Sequence, residues 1–171
     1  MRSAPLLLLG VLALAGCEDE PLTSRAPGEP PPPSQGIQAF IQVDNDHAQV
    51  GQTVHVWVRV QIGGETAARL GSYTGRLRFD PAAVRFESET AIDDGMRVSN
   101  PAGASTGDLR FAGAAPAGFQ NLTLYEATFE VTKPDYMDQL RLDMEEVSAA
   151  ISLTNLTPTL RVAPQVFLRV E

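Results

Sequence analysis

Hydrophobic and polar positions alternate with a period of two along most of this chain. The clearest run is TVHVWVRVQI, Thr53 to Ile62. There Val54, Val56, Val58, Val60 and Ile62 point one way, and His55, Trp57, Arg59 and Gln61 the other. Such alternation marks a strand with one buried face. IQAFIQV (Ile37 to Val43), TGRLRF (Thr74 to Phe79), DLRFAGA (Asp108 to Ala114), LTLYEATFEVT (Leu122 to Thr132) and QVFLRV (Gln165 to Val170) read the same way. Turn signals separate them: Gly63-Gly64, Asp80-Pro81, Asp94-Gly95, Asn100-Pro101, Ala115 to Gly118 and Lys133-Pro134. Residues 134–151, PDYMDQLRLDMEEVSAAI, carry two signals, a helical turn at the start and an alternating strand over QLRLDMEEV. Many short strands with no long amphipathic helix predict an all-β protein, an antiparallel sandwich or jelly roll. Its core is expected to hold Val54, Val56, Val58, Val60, Leu77, Phe79, Leu109, Phe111, Leu124, Phe129 and Val131.

The N-terminus follows a different pattern. Arg2 precedes an apolar run from Ala4 to Ala15, too short for the roughly 20 apolar residues that cross a hydrocarbon core but suited to an export signal. Leu14-Ala15-Gly16-Cys17 resembles a bacterial lipobox, which implies that residues 1–16 are removed and that Cys17 carries lipid. Glu18, rather than Asp, after the cysteine implies the outer membrane if the cell is Gram-negative. Residues 17–36 follow with Pro, Gly, Ser and charge, including Pro30 to Pro33, and are expected to form a solvated, partly polyproline tether. Residues 37–171 then suit one domain with its own core.

Composition narrows the chemistry. Cys17 is the single cysteine, so neither an internal disulfide nor a site with several thiolate ligands is available. A net charge of −8 argues against nucleic acid as a partner. The two histidines, His47 and His55, stand without a nucleophile motif, so no catalytic constellation is expected. No cofactor or metal is expected either. Asp44 to His47, DNDH, offers oxygen ligands but lacks the spacing of a calcium loop and reads as a solvated turn.

The ordered set VGQTVHVWVRV, LGSYTGRLRFDPAAVRFES, GDLRFAGAAPAG and LYEATFEVT resembles the cohesin domain. Gly51, Val54, Val56, Val58, Phe79, Asp80, Pro81, Val84, Leu109, Phe111, Leu124, Phe129 and Val131 fall on the pattern, over most of Val50 to Thr132. The resemblance implies a jelly-roll sandwich of about nine strands and a non-catalytic module that binds a protein, dockerin-like or another envelope component. Cohesins share this fold with family 2 and 3 carbohydrate-binding modules, so polysaccharide stays open as an alternative ligand. The single copy departs from tandem scaffold cohesins, and a purely structural envelope role also remains open.

Two sets of residues could carry binding. Trp57, opposite the valine face, could stack a sugar ring if exposed. The second set is arginine. Parity sends Arg76 and Arg78 outward from TGRLRF, Arg85 from AVRFES and Arg110 from GDLRFAG. In cohesins the corresponding strands lie in the sheet whose outer face receives the dockerin. Arg76, Arg78 and Arg110 are therefore expected to converge there with Arg85 and Arg97 nearby, balanced by Glu87, Glu89 and Asp108 or by an acidic partner.

Overall fold

The computed structural model describes residues 29–64 and 69–168. The signal run, Cys17 and the first part of the tether lie outside them, as does Val170. Among the described residues nine strands occur, in the order β1 (Gly36–Val43), β2 (Thr53–Gly63), β3 (Leu70–Arg78), β4 (Val84–Glu89), β5 (Met96–Asn100), β6 (Asp108–Ala114), β7 (Thr123–Val131), β8 (Arg141–Ala149) and β9 (Leu160–Leu168). They form two sheets, a five-stranded one in the order β4-β7-β2-β1-β9 and a four-stranded one in the order β5-β6-β3-β8. Every pairing is antiparallel except that of β9 with β1. The all-β sandwich is thus observed, with one parallel pair at a sheet edge. Pro164 sits in β9, at the point where its register against β1 shifts between Ala39 and Ile41. An edge strand with a bulge is where a strand proline is tolerated, since no neighbour needs its missing N–H.

All eleven expected core residues are buried, in one cluster between the sheets. Phe129 stands at its centre, edge-on to Phe79 and Phe86 at 5.0 and 5.8 Å between centroids. The segment with two signals satisfies both. Tyr136–Gln139 forms a single 3-10 turn and Arg141–Ala149 forms β8. Tyr136 is fully buried, and its hydroxyl donates to the Asn45 carbonyl, which ties the Asp44–His47 turn to the body. Asp44 accepts from the His55 amide of β2 and Asn45 from the His47 amide, so this turn uses its polar side chains on nearby backbone.

The end of the tether does not stay in solvent. Arg59 and Gln61 of β2 donate to the Glu29 carboxylate, and Pro30 is buried. The Pro33 carbonyl oxygen lies 1.6 Å from where a Cβ on Gly63 would stand, so only glycine fits at the end of β2. Composition marks this stretch as unable to build a core. It does not exclude docking on a core built by other residues.

Candidate functional site

The outer face of the four-stranded sheet carries two unlike halves. Register places Asn100, Arg110 and Arg76 side by side across β5, β6 and β3, and Asp108, Arg78 and Arg141 in a neighbouring row across β6, β3 and β8. Arg76 and Arg110 are direct cross-strand partners, an arrangement that like charges destabilise unless they are balanced. The balance is local. Asp108 lies 3.5 Å from Arg76 and 4.0 Å from Arg110, Glu145 pairs with Arg76, and Asp143 lies 2.8 Å from Arg78. Arg110 is the looser of the central pair, with a side chain 55% exposed against 22% for Arg76.

The other half is apolar. Met96 and Val98 of β5 are 73% and 63% exposed, and they pair with Ala114 and Ala112 of β6. The alternation of β5 is therefore inverted. Its apolar residues face solvent, while Arg97 points inward. The Arg97 guanidinium donates to the Tyr73 hydroxyl at 2.7 Å and to the Thr123 and Leu124 carbonyls at 2.8 and 3.1 Å, and it lies 4.6 Å from the Phe119 ring centre. Burial raises the Tyr73 hydroxyl pKa, and the charge of Arg97 opposes that rise. Arg97 is a clasp across the open side of the sandwich and does not join the outer arginines.

Three further expectations need correction. Arg85 does face outward, but from β4 in the other sheet, where it pairs with Glu130. Of the expected balancing acids only Asp108 acts on the arginine cluster. Glu87 accepts from Thr53, and Glu89 from Ser99 and Tyr125. Asp143 and Glu145 of β8 take the remaining part, and their alternation with Leu142 and Met144 was the sequence signal for it. Trp57 points away from the valine face, between Gln42 and Glu126, yet it is only 8% exposed and stacks on His55. That leaves Trp57 no open face on which a sugar could stack. Among the described residues no group of three or more His, Cys, Asp or Glu could hold a metal ion.

No family model and no curated protein matches the chain. Solved structures do. A cohesin module from a family 33 glycoside hydrolase of Clostridium perfringens superposes with a TM-score of 0.56 at 15% identity, covering 80% of this chain and 99% of that one. The seventh ScaB type I cohesin of Pseudobacteroides cellulosolvens gives 0.55 at 16%, covering 80% and 93%. A type I cohesin–dockerin complex from Clostridium thermocellum gives 0.53 at 13%, covering 80% and 100%. The fold is that of a cohesin module. At these identities the likeness speaks for the fold alone.

Proposed function

We propose that this chain is a non-catalytic, lipid-anchored module of the bacterial cell envelope, which docks a protein partner on the outer face of the β5-β6-β3-β8 sheet. The observation that carries the reading is the exposed Met96–Val98 strip beside the arginine cluster. An apolar centre next to a charged rim is the anatomy of a protein interface. The solved cohesin–dockerin complex of the same fold supports a partner of dockerin type. Met96 and Val98 would bury apolar area against the partner. Arg110, the most weakly held cation of the central pair, would take a carboxylate from an acidic part of its surface. Arg76 and Arg78, already paired within the chain, would set the register of that contact.

The test is quantitative capture of crosslinked partners from the native envelope, by the native chain and by Val98→Asp combined with Arg110→Glu. The double variant is expected to lose at least about thirtyfold in affinity while keeping a native circular dichroism spectrum. Undiminished capture by a folded double variant would overturn the face. Anchoring has its own test. Cys17→Ser is expected to move the protein out of the membrane fraction or to block its processing. Acyl chains hold a chain stably only when two or more are present, so loss of their attachment point removes the anchor. Unchanged fractionation would refute lipidation.

A further inference from the structure

β4 and β5 are the outermost strands on one side of the sandwich, each at the edge of its sheet, and the connection Thr90 to Gly95 joins them. Between the two edges opens a cleft of about 280 Å³. Its walls include Ile92, Val98 and Ala112, and its floor is the stacked pair Phe111 and Tyr125, with ring centres 5.2 Å apart. Glu89, the last residue of β4, stands at this cleft. One carboxylate oxygen, Oε2, accepts from the Ser99 hydroxyl at 2.5 Å and from the Tyr125 hydroxyl at 3.2 Å. The other, Oε1, accepts no hydrogen bond among the described residues, and no cation of those residues lies within 4.0 Å of the carboxylate.

Among the described residues the one cation lining the cleft is Arg97, and its charge is already spent. Its guanidinium serves the Tyr73 hydroxyl and the backbone carbonyls, with Asp94 3.7 Å away. A carboxylate fixed by two hydroxyls, with one free oxygen beside apolar walls, matches one kind of group. That group is a cation on an aliphatic stem, whose methylenes pack on Ile92 and on the Phe111–Tyr125 floor while its head meets Oε1. Burial, and beside it the negative charge of Glu89, raises the Tyr125 hydroxyl pKa.

We infer that the β4–β5 cleft is a binding site for a basic aliphatic side chain, lysine or arginine, supplied by the docked partner, with Glu89 as its recognition group. For the source of that side chain the inference rests on the docking face proposed above. Val98 and Ala112 belong both to the exposed strip and to the cleft wall, so a partner seated on the strip reaches the cleft over the edge of β5.

The experiment titrates the full chain with N-acetyl-lysine methylamide and with its uncharged isostere, N-acetyl-norleucine methylamide, and follows NMR signals. The lysine probe is expected to shift Glu89, Ile92, Val98 and Ser99 saturably, and the norleucine probe to leave them in place. Glu89→Gln keeps the shape and both hydroxyl contacts, and is expected to weaken lysine binding about tenfold or more, since the lost contact is charge-assisted. Ser99→Ala serves as a second variant that keeps the charge, and should bind with a smaller loss. Equal response to both probes, shifts remote from the cleft, or native binding by Glu89→Gln would overturn the site. Two mixed results separate the readings. Probe binding in the cleft with partner capture unaffected by the outer-face variant would overturn the docking reading and with it the partner as donor. Lost capture with no probe binding would overturn the cation site alone.

Discussion

Ile151 and Leu153 hold left-handed backbone, with φ of 64° and 54°, and their side chains are 84% and 79% exposed. A β-branched residue in that region carries steric strain of about 1–2 kcal/mol, and here burial returns nothing for it. The turn is held by its own backbone hydrogen bonds, Ala149 to Thr154, Ser152 to Ala150 and Ala150 to Arg69. Ile151→Asn should therefore relieve strain without touching the core and raise Tm by about 2–4 °C in a thermal melt. A lower Tm would show that the isoleucine is held by contacts worth more than its strain. At this scale the sequence was legible in parity and blind to sheet membership. Alternation correctly sent Arg76, Arg78, Arg85 and Arg110 outward, because pleating alone decides that. It could not say that Arg85 belongs to a different sheet, nor that Trp57 is buried on its outward side, since both depend on segments remote in sequence.

Elements show where alternation misled. Alternation does not mark β5, because its apolar residues are two, Met96 and Val98, and because an arginine holds the inward position between them. The inward arginine needs room, and the neighbouring strand provides it. Gly113 lies between Tyr73 and Arg97 in the register of β3, β6 and β5, and a Cβ there would stand 2.6 Å from the Tyr73 ring. Gly113→Ala is expected to push that ring off the Leu124 carbonyl, to which its hydroxyl donates at 2.8 Å, and to disturb Arg97 with it. Overpacking of this kind costs about 1–3 kcal/mol, to be read from a shifted urea midpoint at unchanged slope. A wild-type midpoint would show that Tyr73 yields freely. The acids of β8 were visible as a pattern, but their pairing with β3 was not, because the turn signals fix where strands end and leave open which strand each one joins.

For the whole molecule, the two sheets meet at Phe129 of β7, where Phe79, just past β3 of the four-stranded sheet, packs edge-on beside Phe86 of the neighbouring β4. Phe129→Ala should remove about 3–5 kcal/mol of unfolding free energy in equilibrium denaturation. A loss below 1 kcal/mol would mean that the two sheets do not depend on this contact. Class and architecture were readable because a two-sheet sandwich needs little beyond alternating strands and turns in the right order. The parallel β1–β9 pair and the docked tether were not, since each is a long-range choice with no local signal.

The docked tether and the parallel pair together determine how the molecule would bear load. Tension applied ahead of residue 29, against anything held on the four-stranded sheet, meets first the Glu29 contacts with Arg59 and Gln61. Beyond them it reaches β1, an inner strand bonded to β2 on one side and to β9 on the other. A pull along such a strand loads two rows of hydrogen bonds at once, in shear. An edge strand pulled the same way would load one row only.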